Sequence, residues 1–549
     1  MKRNATLFLF LMALVFTSCY DLEDFEDFRI KPFKQTWAFP ILNSTITFRE
    51  LVERSETNTS VGVLPGSTLY FMSFRDTLIF SRASDQYALS SQLFSSSIGV
   101  PGGLPPVFPT GAQVSHSETV NQTFSAIPGV ELKSIDYSSG SVTLRLQNNF
   151  QHAIAGQLIV TSLENSSGTP VSIPFSLGGI GSNLSNERLL DPLVLNLHNI
   201  GAGTYNSFRF SVNFTITSSG NPNLSGNLGV EIEFNSPDYF SFSGKVNGLL
   251  SSGEHEYPIA VFNSTVLASQ HFAQPSISYT ILNGYGIPVS IGFSQFEAKN
   301  NAGSIMPVVN EGVLTPTDLN LSGENVLNYI TDVNQSYAST PLALTYQNSN
   351  IEDIFDIAPN KILYESSVTL GDNTDNHDFF VKKSSSITFL SDISVPLTGW
   401  ATTHLLSDTL TGIEFPEVGS MGVVDSLDYS VTLKFKFNNE LPLSMELQIQ
   451  FLDDADVLLE QLFPDGEQQL VESAPVDANG ESTGSTSKYT LVELDREKYE
   501  RLLTSTKMIL FYRMSTGGTT QQNIRVLSTN KVRVQMSAII SATIDPQSL

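Results

Sequence analysis

Asp372, Asp375 and Asp378 stand three residues apart in GDNTDNHDFF, with Asn373 and Asn376 between them. Carboxylates and amides are the hard oxygen donors that calcium takes. The spacing departs from an EF-hand loop and no Glu closes it, so a solvated hairpin loop is the simpler reading. DDADVLLE, with Asp453, Asp454 and Asp456, reads the same way. Gly480-Glu481-Ser482-Thr483-Gly484 fits G-x-S-x-G, a pattern that makes a nucleophile only at a strand-to-helix elbow. Here it follows APVDAN in a Gly/Ser/Thr loop. His255 precedes Glu256, but HEYPIA lacks the second histidine of a zinc helix. The seven histidines are scattered. No Gly-rich loop ends in Lys-Ser/Thr to cradle a phosphate. Paired carboxylates for glycoside hydrolysis leave no readable spacing. These residues predict a protein that is not an enzyme and needs no cofactor. Aromatic platforms for sugars are also few. Of the two tryptophans, Trp37 and Trp400, the second follows a Pro-Leu-Thr-Gly turn and is expected to anchor a core or interface.

Cys19 is the only cysteine. Before it, Lys2 and Arg3 form a positive start, Leu7 to Phe16 an apolar run, and Thr17-Ser18 a small-residue exit. That is the layout of an export signal over residues 1–18. The apolar run is about ten residues, against the ~20 that a membrane-spanning helix needs. A free thiol outside the cell would lie open to oxidation. Phe16-Thr17-Ser18-Cys19 resembles a bacterial lipobox, with Phe where Leu is usual. The resemblance covers the first 20 residues and implies cleavage before Cys19 and acylation of that residue. Two or three acyl chains hold a protein stably at a membrane where one does not. Asp21, Glu23, Asp24, Glu26 and Asp27 follow directly. This tract resembles the acidic export signal of Bacteroidota lipoproteins, which implies the outer face of the outer membrane. Read without the resemblance, it is a solvated acidic tether.

The formal net charge is −26 over 549 residues. Removing residues 1–18 takes away two cations and no acid, so the mature chain is more acidic still. Such a chain repels nucleic acid, which is excluded as a partner. Charged residues make up 15% and hydrophobic ones 40%, which suits packed sheets with Ser/Thr/Asn-rich exteriors.

The dominant hydrophobic period is two. VTLKFKF puts Val431, Leu433, Phe435 and Phe437 on one face, with Thr432, Lys434 and Lys436 on the other. FRFSVNFTIT, from Phe208 to Thr217, and KVRVQMSA, from Lys531, do the same. These are half-buried antiparallel strands. Helices are expected only at DREKYERLLTS, with Asp495 as N-cap, and briefly at FRELVERS and ENVLNYITDV.

A repeat runs through the chain. SIDYSSGSVTLRLQNNFQHAIAGQLIV starts at Ser134 and SLDYSVTLKFKFNNELPLSMELQIQF at Ser426. A looser copy, ISYTILNGYGIPVSIGF, starts at Ile277, and its Ile287-Pro288 lies near the place of Leu441-Pro442. Each copy reads as strand, Asn turn, strand, with Asn148-Asn149, Asn438-Asn439 and Asn283-Gly284 expected in hairpin turns. The fold class predicted is all-β: tandem antiparallel β-sandwiches with few short helices. The expected domains are the signal at 1–18; a tether, N-terminal β module and Pro/Gly/Ser linker at 19–111; a sandwich at 112–250; a middle β domain at 251–400; and a second sandwich at 401–549. The strand–Asn–Pro–strand element resembles the sandwich of late-embryogenesis-abundant and water-stress proteins over about 25 residues. Trp37-Ala38-Phe39-Pro40-Ile41 resembles the W-x-x-P stretch that opens multi-domain Bacteroidota lipoproteins of no assigned activity. Together these imply an outer-membrane lipoprotein, facing the cell exterior, that binds, adheres or scaffolds. Its partners would be the membrane, through the lipid on Cys19, and an extracellular glycan or protein. An accessory glycan-binding lipoprotein of a nutrient-uptake system is the alternative.

Overall fold

The structure is a computed structural model. It describes residues 33–55, 60–125, 127–246, 248–259, 262, 269–371, 378–402, 404–416, 429–463, 469–516 and 522–544. Among the described residues about 61% are strand and 5% helix, in antiparallel sheets with four short helices. The expected all-β sandwich class is what the chain adopts. Among the described residues no helix is long and apolar enough to cross a membrane.

Two compact units form. The larger comprises Met72–Asn263 and His271–Pro396; the smaller comprises the chain through Phe71, Ser264–Gln270 and Leu397 onward. Three long strands precede residue 112: β1 (Phe33–Thr47), β2 (Tyr70–Arg82) and β3 (Gln92–Ile98).

The first sandwich lies in the larger unit. It uses β4 (Gln113–Thr123), β5 (Val130–Asn148), β6 (Ala153–Glu164), β7 (Pro170–Leu177), β8 (Asn183–Leu189), β9 (Ser207–Thr217) and β10 (Leu228–Val246). The strands run β8-β5-β10-β3 and β4-β9-β6-β7, and the short strand Val194–Asn196, paired with both β5 and β6, joins the two runs. The alternation in β9 fixes the inside: Phe208, Phe210, Val212, Phe214 and Ile216 are all buried.

The second sandwich follows in the same unit, with β11 (Gly248–Pro258), β12 (Ser276–Asn283), β13 (Val289–Asn300), β14 (Ala338–Thr345), β15 (Pro359–Leu370) and β16 (Ser386–Pro396). Its sheets run β14-β12-β16-β2 and β11-β15-β13. A short strand after the acidic loop, Phe379–Lys382, pairs with β10 of the first sandwich.

The smaller unit holds the third sandwich: β17 (His404–Thr411), β18 (Tyr429–Asn439), β19 (Leu443–Leu452), β20 (Thr486–Leu494), β21 (Lys507–Thr516) and β22 (Lys531–Ile544). Its sheets run β20-β18-β22-β1 and β17-β21-β19. The three sandwiches therefore share one strand order.

The N-terminal strands are shared out. β1 pairs with β22, β2 joins the sheet of β16, and β3 pairs with β10. β1 and β3 each join a sheet whose other strands come from later in the chain. Phe94 of β3 lies inside the first sandwich, its ring 4.3 Å from that of Phe208. Burying one such ring contributes about 1.5–3 kcal/mol. So the described part of residues 19–111, expected as a module of its own, lends its strands elsewhere. The expected linker also starts inside β3, since Ser95 to Ile98 pair with Glu231 to Leu228. Alternation marks a strand and its faces but not its partner, which is why the sequence does not reveal this.

The Asn turns differ from expectation too. β5 and β6, β12 and β13, and β18 and β19 do not pair with each other, so each turn is a crossover and not a hairpin. The structurally matched residues are Asn148, Asn283 and Asn439, all 0% exposed. Leu441 thus matches Tyr285, not Ile287, and the two prolines do not coincide. Helices form over Phe48–Ser55 and Arg496–Leu502, the latter capped by Asp495 accepting from the Lys498 N–H at 2.8 Å. ENVLNYITDV is not helical; Asn325–Leu327 instead pairs with β13. The chain takes a ladder that buries Leu327 in place of an isolated turn of helix.

Candidate functional site

Cys19, Asp21, Glu23, Asp24, Glu26 and Asp27 lie outside the described residues, as do Asp372 and Asp375. Asp378 is described, and both its oxygens are occupied. Oδ2 accepts from Lys133 Nζ and Oδ1 from Tyr205 OH, each at 2.8 Å. Burial works to raise its pKa, but these hydrogen bonds outweigh it and hold the carboxyl below its usual range. Lys245 stands 4.8 Å from the Tyr205 ring centre, and His198 stacks on that ring. Asp378 is therefore fastened to the first sandwich. A calcium ion would have to displace a lysine and a phenol to use Asp378. Among the described residues no group of three or more His, Cys, Asp or Glu is gathered to hold a metal.

Ser482 sits in a turn organised by Asp477, whose Oδ1 accepts from the N–H groups of Asn479 and Glu481 at 2.9 Å. Its hydroxyl donates to the Gly484 carbonyl at 3.0 Å, and Glu481 pairs with Arg525. This is turn chemistry, not a nucleophile elbow. His255 packs between Phe80 and Tyr364, at 4.6 and 5.3 Å between ring centres. Burial pushes its pKa down, so the ring is neutral at pH 7. Glu256 turns instead to Lys361 at 2.9 Å. Asp453 closes its own turn, while Asp454 and Asp456 bind Thr506 and Lys507. Trp37 and Trp400 are both half-buried, and neither is an open platform.

Lys434 and Lys436 form a more pointed arrangement. On the outer face of the sheet β20-β18-β22-β1, Lys436 lies opposite Tyr489 and Lys434 opposite Leu491. Tyr489 is 56% exposed and Leu491 63%. Both ammonium groups lie 5.5 Å from the Tyr489 ring centre. The ring's negative face draws cations in. Arg533, from β22, holds Asn43 of β1 at 3.0 Å beside them. Elsewhere about half of the described cations meet a carboxylate, as in Arg145–Glu233, Arg501–Glu460 and Lys507–Asp456. Lys434, Lys436 and Arg533 have no carboxylate partner among the described residues. The outward lysines were visible in VTLKFKF. Their aromatic neighbour was not, because it arrives on β20, and the sequence does not reveal that β20 pairs with β18.

A polar groove of about 600 Å³ crosses the outer face of the first sandwich, lined by Ser95, Ser97, Gln147, Ser185 and Glu231. Arg145 spans it, 2.8 Å from Glu233 and 3.7 Å from Glu231. Its charges are already paired.

No protein-family model matches the chain, and no curated protein matches it. Among solved structures, a candidate secreted protein from Parabacteroides distasonis shares 10% identity over 92% of this chain and 99% of that one, at a TM-score of 0.28. The PBSX exported protein XepA shares 8% identity over 57% of this chain and 88% of that one, at 0.11. The infectious bursal disease virus VP2 subviral particle shares 9% over 81% and 84%, at 0.13. At these scores none of them defines a fold relative or a function for this chain.

Proposed function

We propose that this chain is a lipid-anchored protein of the outer membrane, displayed on the cell exterior, that acts as a non-catalytic binding, adhesion or scaffold module. The observation that carries it is the order of residues 1–27: export signal, lone Cys19, then five acids. The architecture supports it. The tether leads within a few residues into β1, which is paired at 14 positions with β22. An anchor on Cys19 would therefore hold a packed sandwich and not a loose tail. The non-catalytic reading is supported by Asp378, Ser482 and His255, each of which serves packing or a turn.

The test is antibody labelling and protease shaving of intact cells carrying wild type, Cys19→Ala, or Asp21, Glu23 and Asp24 all changed to Ala. Wild type is expected to be labelled and shaved, Cys19→Ala released from the membrane, and the acid-stripped variant anchored but hidden. Protection of wild type until the outer membrane is broken would overturn surface display.

A further inference from the structure

We propose that the outer face of the sheet β20-β18-β22-β1 binds a carboxylated polysaccharide, through the ammonium groups of Lys434 and Lys436 and the apolar strip of Tyr489 and Leu491. The proposal rests on the binding-module reading for its biological setting and narrows it to a ligand class.

Three observations converge. First, Tyr489 gathers two ammonium groups over one ring. Like charges held together repel, and an arriving anion relieves that repulsion. Second, this happens in a chain of net charge −26, on a face where no carboxylate among the described residues pairs with them. Glu493, opposite Thr432, marks the acidic end of the face by register. Third, the exposed ring and Leu491 alternate along the edge strand beside the lysines. A sugar ring has that same division: an apolar C–H face and, in a uronate, a carboxylate at its rim. Ser487 and Asn438, hydrogen-bonded at 2.9 Å, extend the face with hydroxyl and amide groups.

Charge density selects among polyanions. Duplex DNA carries one charge per about 1.7 Å, whereas a uronate chain carries at most one per sugar. An acidic protein repels the denser polymer more strongly.

The test is affinity electrophoresis of the detergent-solubilised full chain through gels containing polygalacturonate or, as a neutral comparator, dextran. Polygalacturonate is expected to retard the wild type and dextran to leave it unaffected. The pair Lys434→Gln, Lys436→Gln should weaken retention about tenfold, and the pair Lys434→Arg, Lys436→Arg should stay within about twofold of wild type. Tyr489→Ala should weaken it about fivefold. No retardation, or retardation unchanged by the Gln pair, would overturn the proposal. So would tighter binding to phosphatidylglycerol vesicles than to polygalacturonate, which would make the face a lipid contact. The gel reads binding without regard to anchoring, so failure of the shaving experiment and failure here are separate results.

Discussion

Asn148 and Asn439 hold the same post in two different sandwiches. Each is fully buried at a crossover between two strands that do not pair with each other. Each accepts, through Oδ1, the N–H two residues on, Phe150 or Leu441, at 2.9 Å. Each donates from Nδ2 to the carbonyl four residues on, His152 at 2.8 Å or Leu443 at 2.7 Å, and to a distant loop carbonyl, Gly178 or Glu472. The next residue's N–H then reaches the start of the last strand: Asn149 to the Asn227 carbonyl, and Glu440 to Lys531. Asn283 repeats the scheme, accepting from Tyr285 N–H and donating to the Asn328 carbonyl. A primary amide is the compact group that both donates and accepts here.

Replacing Asn439 with Leu should strand the Leu441 N–H and two carbonyls without solvent. The expected loss is about 2–4 kcal/mol, read by urea unfolding of the smaller unit with fluorescence and local hydrogen exchange at Leu441. A loss under about 0.5 kcal/mol would mean that water replaces the amide. Asn439→Asp should fare no better, because it supplies the acceptor but no donor.

The lending of β1 to the third sandwich can be caught covalently. Thr36 and Ser541 are direct partners with hydroxyl oxygens 2.9 Å apart. Directly opposed residues on antiparallel strands have Cα atoms about 4.5–5.5 Å apart, which suits a disulfide. Thr36→Cys with Ser541→Cys, in a Cys19→Ala background, should crosslink on mild oxidation and change mobility on a non-reducing gel. Shifting one cysteine to Lys34 should abolish most of the crosslink. Equal yields from both pairs would mean that β1 is not in this register.

What the sequence disclosed was local. Val431, Leu433, Phe435 and Phe437 were placed inward by period two, and all are at most 1% exposed. Asp495 was read as an N-cap and is one. The repeat was visible, but its anchor was misjudged by one residue, because Asn438-Asn439 and Asn148-Asn149 align as pairs while only one member of each is buried. What stayed hidden was long-range: β1 with β22, β3 with β10, and Tyr489 beside Lys434. Each depends on pairing between distant segments, and a face pattern is satisfied by any partner strand.

His255 gives the larger unit a pH dependence with a definite sign. Burial lowers its folded pKa below the ordinary 6.5, and its Nε2 has no hydrogen-bond partner. The folded state therefore binds fewer protons than the unfolded one. Its contribution is complete above about pH 6.5 and declines as pH falls below that, with a slope of at most about 1.4 kcal/mol per pH unit. His255→Phe should flatten the stability profile of this unit between pH 6.5 and 5 and leave it unchanged at pH 8. A profile equally steep in the variant would move the proton uptake to another group.

Asp378 makes the same case at lower pH and also decides the calcium question. Its folded pKa is depressed, so its contribution is present above the ordinary carboxylate value near 3.9 and is lost as pH falls through the folded pKa. At neutral pH, Asp378→Asn should cost about 1 kcal/mol, since the ion pair with Lys133 is partly exposed. Lys133→Met should cost a similar amount, and the double variant should show that the two losses are not additive. Because both carboxylate oxygens already hold Lys133 and Tyr205, millimolar calcium should leave the melting temperature of wild type where it is, and a chelator should do the same. A calcium-dependent rise that Asp378→Asn abolishes would show that the loop trades its lysine for the ion, with Asp372 and Asp375 as the ligands to test next.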